Sequence, residues 1–218
     1  MVGLSELPEW ARLVGADVDP QTLERLERFV DLLTVWNRRF RLTGDRDRDV
    51  LVRKHVVDSL AVVSELPSSG PVIDLGSGAG FPGIVLACSR PDLELRLVES
   101  RRRPASFLSE AIRIIPLPAA AAMAVRGEEL ASDPTVMGRA TRVVCRALRL
   151  DVVTRLAAPL LAPAGKLVSM QASGTDEVAA RAKAVPVGLD LIRVRDYRLP
   201  DGEPRRLLVF GRCAQTAG

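Results

Sequence analysis

The residues with the clearest chemical meaning in this 218-residue chain surround a glycine-rich turn, VIDLGSGAGFPGIVLA (72–87). Asp74 precedes three glycines at alternate positions, Gly76, Gly78 and Gly80. Glycine tolerates positive φ and lets a ligand approach the main chain, while the free amides of a following helix favour anionic groups. Further on, Glu99 stands where a carboxylate can accept two ribose hydroxyls. The spacing therefore predicts a nucleoside site.

The carboxylate of Asp74 favours one kind of nucleoside over another. A dinucleotide site normally has an apolar residue two places before its first glycine, because that strand is buried. Asp74 would repel a pyrophosphate, whereas it could engage the ammonium group of a cofactor with an amino-acid tail. We therefore expect S-adenosylmethionine rather than NAD, with Asp74, Gly78 and Gly80 near its methionine end and Glu99 on the ribose.

The elements that must position this turn alternate between strand-like and helix-like stretches. Short β-rich runs occur at 72–75, 94–99, 121–125, 142–145, 166–170 and 207–210. Helix-like stretches include 106–115, 151–161 and 176–184. Alternation of this kind predicts an α/β fold, Rossmann-like, with a mostly parallel twisted sheet and helices on both faces.

The first third of the chain has a helical pattern. Apolar residues recur at three- and four-residue steps from Leu23 to Phe40, and Asp19 followed by Pro20 is a suitable helix start. A second helix is expected at about 49–66. We expect residues 1–68 to form an N-terminal helical extension and residues 69–218 the S-adenosylmethionine-binding domain.

Composition excludes several classes of protein. Three distant cysteines fit reduced thiols, and a single histidine, His55, leaves no recognisable metal-ligand spacing, so no metal is expected. The opening MVGLSELPEW has neither a basic start nor an apolar core, and no run is long enough to cross a bilayer. We expect a cytoplasmic protein, monomeric and away from membranes. Its net charge of +4 suits an anionic partner, although the arginine excess also fits a GC-rich gene.

Several segments together resemble one family. The stretch VIDLGSGAGFPGIVLA closely resembles the glycine turn of the ribosomal RNA small-subunit methyltransferase G family, also called glucose-inhibited division protein B. Upstream, VWNRRFRLTG and VRKHVVDSLAV are similar to its N-terminal helical signature. Downstream, LVESRRRPASFL, VRGEEL and VVCRAL resemble its second strand, its adenine-side loop and its fourth-strand arginine. The resemblance covers roughly residues 20 to 165.

The resemblance implies an activity and a set of site residues. It implies transfer of a methyl group from S-adenosylmethionine to N7 of a guanine in small-subunit (16S) ribosomal RNA. It implies that Gly76 and Phe81 belong to the cofactor loop and that Gly127 and Glu128 lie beside the adenosine. Arg146 is implied at the floor shared by cofactor and active site, and we expect it to be the catalytic residue that holds the base or the cofactor tail.

Two basic stretches are candidates for contact with ribosomal RNA or a ribosomal particle. They are expected to contain Arg38, Arg39, Arg53, Lys54, His55, Arg101, Arg102 and Arg103. Intervening aspartates also allow some of these side chains to form local ion pairs on a solvated helix face. A histidine on a helix is also commonly a packing or capping residue, so His55 has two interpretations.

Guanine N7 has an in-plane lone pair and needs no general base, which agrees with the absence of an acid–base pair in the sequence.

Three departures from the family pattern concern the acceptor side: Arg41, Pro104 and the pair Met170-Gln171. Alternatives therefore stay open: a methyltransferase for another RNA or a small metabolite, a non-catalytic ribosome-binding paralogue, or, last, a dehydrogenase.

Overall fold

The computed structural model describes residues 4–213, which form a seven-stranded sheet of order β3-β2-β1-β4-β5-β7-β6. Strands β1 to β5 run parallel to one another, and β7 lies antiparallel between β5 and β6. The strands are β1 (Val72–Leu75), β2 (Leu95–Val98), β3 (Ala120–Met123), β4 (Ala140–Arg146), β5 (Leu161–Ala172), β6 (Leu189–Arg198) and β7 (Pro204–Arg212). The predicted mostly parallel sheet is confirmed.

Helices cover both faces of the sheet, as predicted. One face packs against α5 (Gly83–Ser89) and α6 (Arg102–Ile114). The other packs against α7 (Gly127–Ala131), α8 (Leu150–Leu160) and α9 (Glu177–Ala184). The connections place the carboxyl ends of the five parallel strands at one edge of the sheet, which is where ligands bind in folds of this type.

The N-terminal helices are α1 (Leu7–Leu13), α2 (Pro20–Phe40), α3 (Arg48–Val50) and α4 (Val57–Leu60). Asp19 caps α2 as predicted, because its side chain accepts a hydrogen bond from the Thr22 amide at 2.6 Å. The second predicted helix, at about 49–66, is present but differs from the prediction in two ways. Its middle, Leu51–Val56, is π-helical and joins α3 to α4, and its last α-helical residue is Leu60. A 3₁₀ turn, Val63–Glu65, completes the segment.

The N-terminal helices pack on the same face of the sheet as α5 and α6. The Phe29 ring, fully buried on α2, lies 5.3 Å from the Phe81 ring and 6.3 Å from the Phe107 ring. Phe81 belongs to the glycine-rich turn and Phe107 to α6. One continuous apolar cluster therefore supports the turn from behind.

Strand β6 was missed by the sequence analysis. Five of its ten residues are charged, and a register shift between Leu191 and Arg193 interrupts the alternation that identifies a strand. Two of its arginines instead reach the N-terminal helices. Arg193 pairs with the buried carboxylate of Glu65, and Arg195 donates to the main-chain oxygens of Val14 and Ala61.

No helix among residues 4–213 is long and apolar enough to span a membrane.

Candidate functional site

Two cavities adjoin at the carboxyl edge of the sheet, and Arg146 and Ala147 line both. The glycine-side cavity, about 410 Å³, is lined by residues that include Gly76, Glu99, Arg101, Val125, Gly127, Glu128, Leu148, Val152 and Leu156. The arginine-side cavity, about 340 Å³, is lined by residues that include Lys54, His55, Asp58, Met170, Gln171, Glu203 and Arg205. Arg146 ends β4 and therefore stands between them.

The glycine-rich turn depends on backbone shapes that side chains disfavour. Gly76 and Gly78 adopt φ of 76° and 53°, in the left-handed region. Gly80 has a φ of 92° and also serves packing, because a Cβ there would lie 2.9 Å from Ile84 and 3.0 Å from Phe29. Of the three glycines, Gly76 lines the glycine-side cavity directly.

Asp74 lies beneath this turn and is fully buried. Its Oδ2 accepts a hydrogen bond from the Gly83 amide at 2.9 Å. Its Oδ1 is the one buried side-chain polar atom in the described part of the chain that has no hydrogen-bond partner. Burial raises the pKa of Asp74 to about 7, and hydrogen bonding by the Ser77 side chain and by the Gly83 amide opposes that rise only in part. An unsatisfied buried carboxylate oxygen suits a cationic donor such as an ammonium group.

Glu99 is held rigidly at the end of β2. Its Oε2 accepts from the Gly78 amide at 3.1 Å, and its Oε1 accepts from the Arg101 amide at 2.8 Å. Arg101 also donates its Nε to Oε1 at 3.1 Å. Glu99 is 5% exposed and lines the glycine-side cavity. Its two oxygens already accept four hydrogen bonds, two of them from the exposed side chain of Arg101, which ribose hydroxyls would have to displace.

The far end of the glycine-side cavity is apolar. Gly127 and Glu128 open α7 there, and a Cβ at Gly127 would lie 2.9 Å from Leu156. The sequence analysis missed Leu148, Val152 and Leu156, which line the wall at helix-like intervals after Arg146. Glu99 and the apolar side chains of Leu148, Val152 and Leu156 line one cavity, which suits the ribose and the base of a nucleoside such as S-adenosylmethionine.

Arg146 is held by several partners at once. Its Nη2 contacts His55 Nδ1 at 2.5 Å, and its Nη1 lies 3.5 Å from Asp58 Oδ2. The guanidinium carbon stands 5.3 Å from the centre of the Phe81 ring. Burial lowers the pKa of Arg146, and the charge of Asp58 opposes this. The side chain stays 21% exposed, open to the cavities.

Asp58 is a central residue that the sequence analysis did not single out. Tyr197 donates its hydroxyl to Asp58 Oδ1 at 2.6 Å, and the guanidinium of Arg205 approaches the same oxygen at 3.8 Å. Burial raises the pKa of Asp58, while Arg146 works against the rise. The spacing of Asp58 three residues after His55, on one helix face, is a signal that could have identified it.

The predicted RNA-contact residues fall into two groups. Arg38, Arg39, Arg53, Arg101, Arg102 and Arg103 are exposed, and Lys54 is half-buried. Arg39 and Arg103, from separate stretches of sequence, meet over the Phe40 ring at 5.2 and 5.6 Å. His55 differs from the rest because it is 7% exposed and both of its ring nitrogens have protein partners.

Comparison with known proteins gives a consistent result. The family model described as rRNA small subunit methyltransferase G matches residues 22–192. The chain belongs to this family. A relative named "Ribosomal RNA small subunit methyltransferase G" from Anaeromyxobacter sp. (strain Fw109-5) is 39% identical over 199 residues, covering 90% of this chain and 91% of the relative. A relative of the same name from Geobacter sp. (strain M21) is 34% identical over 210 residues, covering 94% and 96%.

The fold is also similar to solved structures. A SAM dependent methyltransferase from Aquifex aeolicus superposes with a TM-score of 0.58 at 12% identity, covering 74% of this chain and 92% of that one. At this identity the likeness concerns the fold alone. It agrees with the Rossmann-like architecture expected for the methyltransferase G family.

The three departures from the family pattern have separate positions. Arg41 ends α2 in the left-handed conformation, φ 49°. Pro104 lies in the first turn of α6, where its missing amide hydrogen costs nothing. Gln171 lines the arginine-side cavity and donates its amide to Ser169 at 2.8 Å. Of the three, the Met170-Gln171 pair lines one of the two cavities.

Proposed function

We propose that this protein is an S-adenosylmethionine-dependent methyltransferase that methylates N7 of a guanine in small-subunit (16S) ribosomal RNA. Membership of the methyltransferase G family is the observation that carries this function. The two adjoining cavities support it, because one is lined by Glu99 and by apolar side chains and both are lined by Arg146.

The glycine-side cavity is the proposed cofactor site. Asp74 lies fully buried beneath the glycine-rich turn and lines neither cavity, so its place in the proposed set rests on the sequence pattern and on its unpartnered Oδ1. Glu99 would accept the ribose hydroxyls, since backbone amides already fix its orientation. The complete proposed set is Asp74, Gly76, Gly78, Gly80, Phe81, Glu99, Gly127, Glu128 and Arg146. When bound, S-adenosylmethionine supplies an electrophilic methyl group on a sulfonium.

The residues of this chain need to do no proton chemistry. Guanine N7 carries a free lone pair, and His55, the sole histidine, has both nitrogens occupied by protein partners. Arg146 lines both cavities and offers donors suited to the O6 acceptor beside N7. Orientation of two reactants can supply up to roughly 7–11 kcal/mol of a barrier, so positioning by Arg146 is the proposed catalytic contribution.

The basic surface is proposed to bind the RNA backbone. The proposed contacts are Arg38, Arg39, Arg53, Lys54, Arg101, Arg102 and Arg103, which border the glycine-rich turn on two sides. We assign them to a helical extension (1–68) and the methyltransferase domain (69–218). We further propose that the protein acts in the cytoplasm. We also propose that it is a monomer, and light scattering of the purified chain would check its molar mass.

The function is tested by incubating the protein with S-adenosylmethionine carrying a labelled methyl group and with 16S ribosomal RNA, free and in assembled subunits. The expected result is a label at one guanine of the RNA, at which chemistry specific for N7-methylguanine cleaves the strand. Label in a small metabolite but not in RNA would replace the proposed substrate. Binding of S-adenosylmethionine without transfer to any RNA would favour a non-catalytic ribosome-binding role.

A further inference from the structure

The orientation of Arg146 depends on a histidine that sits between two oppositely charged groups. His55 Nδ1 faces Arg146 Nη2 at 2.5 Å, and His55 Nε2 faces Asp45 Oδ2 at 2.7 Å. A guanidinium can only donate hydrogen bonds, and an ionised carboxylate can only accept them. Both contacts are satisfied together only when the imidazole is neutral and carries its proton on Nε2.

The surroundings of His55 keep the ring neutral. Burial is the largest cause that lowers the pKa of His55, to about 4, and the charges of Arg146 and Lys54 add to it. The hydrogen bond and charge of Asp45 oppose this shift. The Phe81 ring, 5.2 Å away, covers one side of the imidazole. Near neutral pH the remaining variable is therefore which nitrogen holds the proton.

Asp45 and Arg146 act together on that variable, Asp45 as acceptor at Nε2 and Arg146 as donor at Nδ1. Without an acceptor at Nε2, the ring is free to carry its proton on Nδ1, and that N–H would point at the N–H of Arg146. The loop that carries Asp45 is itself fixed, because the buried Asn37 donates to the Asp45 main-chain oxygen at 2.7 Å. Asn37 also accepts from the Thr43 amide at 2.9 Å.

We propose that Asp45 and His55 are positioning residues for methyl transfer: Asp45 holds His55 as its Nε2–H tautomer, so that Nδ1 fixes the guanidinium of Arg146 between the two cavities. This rests on the proposed function, since Arg146 is there the residue that orients the base. It also gives His55 an internal role in place of the predicted contact with RNA. His55 lies on the π-helical segment Leu51–Val56, a kind of helix that is frequent at functional sites.

The proposal is tested by the ¹⁵N spectrum of full-length protein labelled at histidine, where the single histidine gives one pair of ring signals. At neutral pH we expect an unprotonated Nδ1 and a protonated Nε2. In Asp45→Ala the two signals should move toward each other as the tautomers mix. Asp45→Glu, which restores a carboxylate, should recover at least part of the original pattern.

Kinetics with 16S ribosomal RNA provide the second measurement. In Asp45→Ala, kcat should fall about tenfold to hundredfold, as for other carboxylates that orient a histidine, while cofactor Kd by calorimetry changes little. The control is Asp49→Ala, which removes the same charge nearby from a side chain with no ion pair among residues 4–213. Thermal unfolding of each variant verifies folding.

Different outcomes separate this proposal from the function itself. A protonated Nδ1 in the wild type overturns the proposal, as does a loss of kcat in Asp45→Ala with the tautomer intact. An unchanged spectrum and an unchanged kcat in that variant also overturn it. A wild-type protein that transfers no methyl group overturns the proposed function, whereas the spectrum alone still decides the tautomer.

Discussion

The guanidinium of Arg146 is the group at which the two cavities, the glycine-rich turn and the N-terminal helices meet. It contacts His55 and Asp58 from the helices and Phe81 from the turn. A planar fork makes such simultaneous contacts in a way that a point charge cannot. The shape of Arg146, as much as its charge, is therefore the property that the site needs.

Arg146→Lys tests this distinction because it retains the charge and loses the fork. We expect kcat with 16S ribosomal RNA to fall about hundredfold, the effect of a small misplacement of reacting groups. Cofactor Kd should change far less. Arg149→Lys is the matched control, since Arg149 is exposed and pairs only locally with Asp151. Equal activity of the two variants would contradict a positioning role for the guanidinium.

The carboxyl group of Asp74 predicts a pH effect on stability. Its pKa is raised from 3.8 to about 7, so between these values the folded chain holds a proton that the unfolded chain has lost. The protonated carboxyl of Asp74 therefore contributes to the free energy of unfolding. This contribution is complete below about pH 4 and is lost as the pH rises through about 7. The amide introduced by Asp74→Asn cannot titrate. The stability of the wild type relative to this variant should therefore fall by about 1.4 kcal/mol for each pH unit in this range.

Urea unfolding of both proteins at pH 5 and pH 8 measures this difference. Asp17→Asn is the control, because it makes the same chemical change at an exposed side chain and leaves the buried carboxyl of Asp74 intact. A flat difference for Asp74→Asn would show that the carboxyl titrates normally.

At the residue scale, the sequence was sufficient to locate the side chains that stand at the ends of strands. Asp74, Glu99 and Arg146 each lie at or next to the end of a parallel strand, and such ends meet at one edge of the sheet. Tyr197 could not be located in this way. It reaches Asp58 across 139 residues of sequence, and only the pairing of β6 with β7 brings the two together.

At the element scale, the end of α2 shows how local chemistry sets a loop. Arg41 takes φ 49°, and its amide donates to the Asn37 main-chain oxygen. The loop after it carries Asp45. Sequence predicted where α2 begins, through Asp19 and Pro20, because caps are local. It could not predict the π-helical segment, which depends on packing of the following residues against the sheet.

Arg41→Gly should stabilise the protein because glycine adopts this backbone shape without steric cost. The expected gain is about 1 kcal/mol in the free energy of unfolding, or roughly 2–4 °C in Tm for a chain of this size. Arg39→Gly, two residues earlier inside the helix, is the control and should cost about 1 kcal/mol. Destabilisation by Arg41→Gly would show that the arginine side chain itself contributes more than the strain removes.

At the scale of the whole molecule, the helical extension and the sheet share one apolar cluster. Residues of α1, α2 and α4 pack with β1, α5 and α6 in that cluster, and the β6 arginines tie the same helices to the far edge of the sheet. The extension therefore supports the glycine-rich turn and also carries Asp45, His55 and Asp58. Part of the candidate site is built by residues that precede β1 in the chain.

This arrangement brings two basic stretches onto one surface, which makes a prediction about binding to RNA. Arg39 and Arg103 meet at Phe40, so both are placed to contact the same stretch of backbone. Each phosphate contact adds about 0.7–0.9 to the slope of log K against log salt. The double variant Arg39→Ala/Arg103→Ala should therefore lower that slope by roughly 1.5.

The matched control for this slope lies at the opposite edge of the sheet. Arg139 and Arg155 are exposed there, near the start of β4 and beside a separate cavity. Arg139→Ala/Arg155→Ala removes the same charge, so it should leave the slope nearly unchanged if binding depends on local contacts. Equal reductions in the two double variants would mean that RNA responds to net charge alone, and the surface around Phe40 would then lose its assigned role.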